Sequence, residues 1–335
     1  MAARAVFPAL LGNETIKSIL ADDLAKGTGA HAHILEGPRG SGKHTAALQI
    51  AAATLCENRN DPNLPLPCGS CSACRKILGG LSVDVLTVSN GDKATIGVDA
   101  IRAVKESLYV TPNDGEKKFY LIESAHLMTV QAQNALLLSL EEPPAFVRFL
   151  LLCEDASLLL ETVRSRAPVL RMELFSPEYL KAYLTETFGT KKPDAQEKIA
   201  RAAHLSGGSL GRAVELFRRG DAELKTYQTA EELTKLLLTG RKSACLAFVS
   251  SSLPKERQST REVLALARFA LRDLAADKKG GELLFYPPSE GTPDYGKKAS
   301  IRRLTELSAA LSEAEERLAA NASQLTVMTA LVMNL

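Results

Sequence analysis

The stretch "HILEGPRGSGKHTAAL" (residues 33–48) decides the fold. An apolar run closes at Glu36, a loop carries Gly37, Gly40 and Gly42, and Lys43 opens a segment with helical spacing of apolar residues. Strand, glycine loop and helix in that order turn backbone N–H groups and a helix N-terminus toward a phosphate, with the lysine adding a point charge. The pattern then calls for Ser or Thr, whose hydroxyl ligates the magnesium of a bound nucleotide. His44 stands there instead. A neutral imidazole offers one acceptor nitrogen, is bulkier than a hydroxyl and suits softer metals than magnesium. Thr45 comes one residue late, which on a helix turns it about 100° away. Magnesium binding is therefore expected to be impaired, while the surviving Lys43 leaves binding of ATP without turnover open.

Working outward, "AHILEG" (32–37), "VDVLTVS" (83–89), "KFYLIES" (118–124) and "VRFLLLCE" (147–154) read as buried strands. Between them, "GKHTAALQIAAATLC", "VDAIRAVKESLYV" and "TVQAQNALLLSLEE" carry helical periodicity. Strand alternating with helix predicts a parallel sheet covered on both faces. A phosphate-loop ATPase places a magnesium-binding acid at the end of one such strand, and many add a Glu that activates water. Here Glu123 is followed by Ser124, which cannot act as a general base at neutral pH. Two parts of the hydrolytic machinery are thus compromised.

From about Ser176 onward only helical patterns remain. "GGSLGRAVELFRRG" (207–220) predicts a helix stopping at Gly220, and "KKGGELLFYPPSEGTPDYGKK" (278–298) reads as a long exposed loop. The 335 residues carry a net charge of +2, with 45% hydrophobic and 24% charged residues. That balance speaks for a globular chain and against strong autonomous binding to nucleic acid or an anionic membrane. No run approaches the roughly 18 apolar residues of a membrane span, and "MAARAVFPALLGNE" is too short in apolar length for a signal peptide. The chain reads as cytoplasmic, where structural disulfides are rare.

Four of the six cysteines, Cys56, Cys68, Cys71 and Cys74, nevertheless crowd together. Two successive two-residue spacings bring three thiolates to one tetrahedral ion, with Cys56 returning as the fourth ligand. The expectation is a closed structural zinc site. Cys153 and Cys245 read as small core residues.

The loop "GPRGSGKH", the cluster "CGSCSAC", "TIGVDAIRAV", "AQNALLLSLEEPP" (132–144) and "SRA" (165–167) follow one another in an order that resembles bacterial DNA polymerase III clamp-loader subunits of the AAA+ family, the delta-prime type above all. The resemblance is specific over about residues 10–215. It implies an α/β AAA+ domain over 1–170 with a zinc module inserted at 56–74, a small helical lid domain over 171–218, and an all-α C-terminal collar over 219–335. It implies that Arg166 is an arginine finger reaching ATP on a neighbouring subunit, Ala167 replacing the usual Cys without touching the arginine. It also matches Arg212 to the helical-domain arginine that senses the terminal phosphate, and leaves the polar sensor near Cys153 or Glu154. The implied nucleotide site, degenerate here, comprises Gly37, Gly40, Gly42, Lys43, Glu123 and Arg212.

The function so implied is that of a stator-like subunit without intrinsic ATPase. Its partners would be delta and gamma/tau-like subunits, together with the sliding clamp and primed DNA, and no membrane. An ATP-hydrolysing gamma/tau-like motor and a zinc-stabilised nucleic-acid-binding protein are the competing readings.

Overall fold

The computed structural model describes residues 4–26, 30–91, 93–189, 193–219, 221–281, 283, 285–286, 291–320 and 322–334. The chain forms two compact units, Met1–Phe175 with Ser209–Gly211, and Ser176–Gly208 with Arg212–Leu335.

The first unit is built on five strands, β1 (Ala32–Glu36), β2 (Val85–Val88), β3 (Lys118–Ile122), β4 (Val147–Cys153) and β5 (Val169–Arg171). They lie in the order β2-β3-β4-β1-β5, every neighbouring pair parallel. A parallel sheet flanked by helices buries both faces, and the continuous apolar runs of β3 and β4 answer that demand. The two-residue period of the strands divides these runs between two cores. Leu35, Phe119, Leu121, Leu150 and Leu152 pack under α1 (Glu14–Lys26), α2 (Lys43–Thr54) and α3 (Ser72–Leu78). Ile34, Tyr120, Ile122, Phe149 and Leu151 face α4 (Val98–Ser107), α5 (Val130–Glu141) and the one-turn α6 (Glu161–Arg164). The α/β architecture is the one that the resemblance implied. β5, three residues long, was not expected from its pattern; it is a strand because it registers on β1, Ile34 opposite Val169.

Buried Asp84 shapes the approach to β3. Its carboxylate accepts the N–H groups of Asn113, Asp114 and Gly115 at 2.7, 2.8 and 3.0 Å, so a connection without regular structure keeps its amides satisfied.

The second unit is helical among its described residues. Ser176 caps α7 (Pro177–Phe188), with Pro177 suited to the first turn, and Gly189 closes the helix in the left-handed region. α8 (Pro193–Leu205), α9 (Leu210–Arg219), α10 (Asp221–Thr239) and α11 (Lys242–Ser251) follow. Gly220, the expected stop of α9, lies outside the described residues. α12 (Arg257–Asp277) buries Val263, Leu264, Ala267, Leu271 and Leu274 against neighbouring helices. α13 (Asp294–Lys298), α14 (Ile301–Ala319) and α15 (Gln324–Met333) complete the unit.

The segment 278–298 differs from the exposed loop expected. Phe285 and Tyr286 are buried, and α13 occupies its end. Asp273, fully buried on α12, accepts the N–H groups of Phe285 and Tyr286 at 2.6 and 3.0 Å, while Tyr286 O accepts from His204 Nε2 at 2.9 Å. Two aromatic side chains outweigh a composition of glycine, proline and charge. Among the described residues no helix is long and apolar enough to cross a membrane.

Candidate functional site

The loop leaves β1 at the C-terminal edge of the parallel sheet, where open α/β sheets bind ligands. Gly37 N donates to Cys153 O at the end of β4 (3.1 Å), which ties the loop to the neighbouring strand. A Cβ on Gly37 would stand 2.7 Å from Ser41 Oγ and 2.9 Å from Met172 Cβ, so only glycine fits. Gly42, at φ +94°, is the N-cap of α2 and supplies no side-chain cap, leaving the amides of the first turn for another acceptor. The buried Ser41 hydroxyl has no hydrogen-bond partner among the described residues. Lys43 Nζ folds back on the loop and donates to Gly37 O (2.5 Å) and Pro38 O (2.9 Å). Burial holds its pKa below the usual lysine value, with Glu154 and Cys153 pulling the other way. Arg39 and Gly40 are gripped from a distant segment: Ser209 Oγ donates to Arg39 O at 2.8 Å and Gly211 N to Gly40 O at 2.9 Å.

His44, read from the sequence as a defect, and Glu123, read as the acid of the nucleotide site, meet. Glu123 follows β3, its N–H bound to Val88 O at 2.8 Å, and its Oε1 lies 2.8 Å from His44 Nδ1. A carboxylate only accepts, so the Nδ1–H donates. The next residue, Ser124, sits at φ +49°, a left-handed conformation uncommon outside glycine. At the C-terminal end of β4, burial pushes the Cys153 thiol up to about 12, so it stays protonated. The N–H of Glu154 donates to His126 Nδ1 at 3.3 Å, and burial keeps His126 below the ordinary histidine value.

A nucleotide's phosphates fit the donors this loop presents. Magnesium does not. Its hydroxyl ligand is missing, and the acid that would serve it is joined directly to the imidazole in the hydroxyl's place.

The four cysteines converge as their spacing predicts. Their sulfurs all lie within 4.8 Å of one another. Cys68 and Cys74 Sγ are 3.9 Å apart, near the edge of about 3.8 Å of a tetrahedron with 2.3 Å Zn–S bonds. Cys56 follows α2, Cys74 lies in α3, and the N–H groups of Cys71 and Cys74 donate to Cys68 and Cys71 Sγ, both at 3.4 Å. Burial opposes ionisation of Cys68. Hydrogen bonds from the Cys71 and Ser70 backbone, the Ser70 hydroxyl and the Asn58 amide outweigh it and bring that thiol to about 5. Burial raises Cys56 and Cys74, so the free cluster strains against carrying four thiolates. A divalent ion would supply the missing charge, and an all-sulfur set with N–H···S support suits zinc. Cys153 and Cys245 are buried elsewhere as free thiols.

Arg166 follows α6, away from the loop residues of its own chain. Its guanidinium donates to Thr162 O (2.7 Å), Ser165 Oγ (3.3 Å) and a carboxylate oxygen of Glu141 at the end of α5. Arg164 is exposed in α6, and Arg212 lies in α9, within the second unit. Sequence reasoning missed Ser41, His126 and Glu141. Only the unpartnered Ser41, inside a glycine loop, carried a signal that local reading could have used.

The family described as "DNA polymerase III, delta subunit" matches residues 12–176. The delta-prime subunit of Bacillus subtilis is 27% identical over 96% of this chain and 95% of its own length. The gamma subunit of Buchnera aphidicola (Acyrthosiphon pisum strain APS) is 31% identical over 63% of this chain, and tau of Escherichia coli 32% over 69%. The chain spans 57% of that gamma subunit and 36% of that tau. Among solved structures, a gamma subunit-related protein of Thermotoga maritima aligns over 96% of this chain and 97% of its own, at 17% identity and a TM-score of 0.48. With a parallel α/β domain, a glycine loop at its sheet edge and these relatives, the chain belongs to the clamp-loader subunit family of bacterial DNA polymerase III.

Proposed function

We propose that this chain is a non-hydrolysing, delta-prime-type subunit of a cytoplasmic clamp loader. In this reading it assembles with delta and gamma/tau-like subunits and helps place the sliding clamp on primed DNA. The single observation that carries the reading is the His44–Glu123 bond at 2.8 Å, which joins two residues where an ATPase keeps a hydroxyl and an acid apart for magnesium. Similarity to a delta-prime subunit over nearly the whole of both chains supports it further.

Residues 171–218 would serve as the lid and 219–335 as the collar that joins the subunits. Arg166 would act in trans, leaving Glu141 to stabilise the charge that develops on the phosphoryl group of a neighbour's ATP. Such fingers raise turnover by roughly 10³ to 10⁵. The four-cysteine zinc site would be structural, since four protein sulfurs leave no open coordination position for chemistry.

The motor reading draws on the higher identity to gamma and tau, which covers less of each chain. Two measurements separate the readings. The isolated chain should show no ATP turnover; turnover would favour the motor. In a loader reconstituted with its motor subunits and checked for size, Arg166→Ala should sharply reduce DNA-stimulated hydrolysis. Unchanged hydrolysis in an intact complex would remove the finger and leave a scaffold.

A further inference from the structure

We propose that a cavity at the starting edge of the parallel sheet, opposite the glycine loop, binds a small amphipathic anion: an apolar chain or ring ending in a carboxylate or a phosphate. The site is separate from the nucleotide site and independent of the function proposed above.

The cavity measures about 530 Å³, within the range of about 300–1,000 Å³ of small-molecule sites. It lies between α1, the C-terminal half of α2 and the first residues of β1, β3 and β4. Phe7, Leu20, Ile50, Phe119 and Leu150, all buried in the fold, give it an apolar lining. One wall is the N-terminal segment, which is pinned to distant chain. Phe7 N donates to Leu66 O at 2.6 Å and Leu66 N to Ala5 O at 2.9 Å. Arg4 donates to Leu64 O at 2.8 Å and to Arg59 O at 2.7 Å. The cavity is therefore formed before any ligand arrives, as small-molecule sites are.

Its charges do not balance. Of the two acids in the lining, Glu116 pairs with Arg59 at 3.1 Å and Asp23 faces His33 at 3.5 Å. Arg4, Lys117 and Arg148 bond only backbone carbonyls among the described residues. Lys117 Nζ and the Arg148 guanidinium even donate to one oxygen, Ala145 O, at 2.9 and 3.2 Å. Two cations thus crowd a single neutral acceptor. Burial holds both below their ordinary pKa values, and Arg148 lowers Lys117 further against the pull of Glu116. An anion placed between them relieves that repulsion, and a guanidinium fork matches a carboxylate or a phosphate. An ion without an apolar body would leave the lining wet, whereas a chain or ring removes it from water.

The test is calorimetric titration of the full chain with octanoate, octyl phosphate and octanol, each below its aggregation limit. Octanoate or octyl phosphate should bind at least about tenfold more tightly than octanol. The tighter of the two anions assigns the head group. Arg148→Gln and Lys117→Gln should each weaken the anions about tenfold and leave octanol unchanged. Ala21→Phe, which fills the cavity from α1, should block all three ligands, with circular dichroism confirming that each variant folds. Should Ala21→Phe fail to fold, the two charge variants still decide the matter. Excess inorganic tripolyphosphate, an anion with no apolar body, should not displace octanoate. No heat from either anion, octanol binding as tightly as both, or full affinity in the two charge variants overturns the inference. So does displacement by tripolyphosphate, which would put the anion on the glycine loop.

Discussion

Arg166 and Glu141 form an ion pair that joins the end of α5 to the turn after α6. The arginine side chain is 33% exposed and the carboxylate 41%, so the contact is a half-open one that solvent weakens. Pairs of this kind are worth about 0–1 kcal/mol. An arginine held so lightly can leave at small cost. Glu141→Ala is therefore expected to shift urea unfolding by less than about 1 kcal/mol and to raise turnover of the reconstituted loader by no more than about fivefold. Should Glu141→Ala depress turnover as deeply as Arg166→Ala, the carboxylate would be part of the trans site and not its restraint.

The cysteine cluster predicts about one zinc per chain by elemental analysis. Cys71→Ser should lose the ion and lower the melting temperature by at least about 5 °C, because a closed site lends its binding energy to folding. Chelation of wild-type protein should reproduce the drop, and added zinc should reverse it. A metal-free chain with an unchanged melting temperature would reduce the cluster to ordinary buried thiols.

His33, buried on β1, gives a pH prediction. Burial holds its pKa below the ordinary 6.5; Asp23, 3.5 Å away, resists that shift, while His31 and Arg148 add to it. Between the folded value and 6.5 the unfolded chain binds the extra proton, so stability rises with pH across that window. The contribution is complete above 6.5 and is lost as pH falls toward the folded value. His33→Gln should flatten this part of the stability curve in denaturant titrations run at a series of pH values. An identical slope in the variant would assign the effect to other groups.

Asp273 pins the segment that composition had assigned to solvent. Asp273→Ala leaves the buried N–H groups of Phe285 and Tyr286 without their acceptor, which should cost about 3 kcal/mol. Asp273→Asn keeps one carbonyl oxygen and should cost about half as much. Hydrogen exchange at those two amides should accelerate in both variants. Protection as in wild type would mean that aromatic packing alone holds the segment.

The readable parts of the fold were those with a long local signature. β3 and β4 are continuous apolar runs because helices cover both sides of the sheet, and α2 follows directly from the glycine loop. β5 exists only through its pairing with β1, a relationship that three residues do not encode locally. Of the two halves of the His44–Glu123 contact, His44 reads locally as a departure from the loop motif and Glu123 as an acid closing a strand. That they touch depends on the sheet order, which places β4 between β1 and β3, and no local pattern carries that. The segment 278–298 misled because glycine, proline and charge dominate its composition, whereas its position is set by Phe285, Tyr286 and one buried carboxylate on another helix.

α2 begins at the phosphate loop and runs to the cysteine cluster, where the Cys74 thiol meets Ala52 O at 3.7 Å. Its twelve residues span about 18 Å. Ala46, Ala47, Ala51 and Ala52 are completely buried, and side chains this short seat the helix flush on the sheet with no slack. The helix is thus a strut with the sulfur cluster at one end and the glycine loop at the other. An ion held by those sulfurs, though taking no part in chemistry, would fix the pitch of that strut, and so the aim of every amide at its far end.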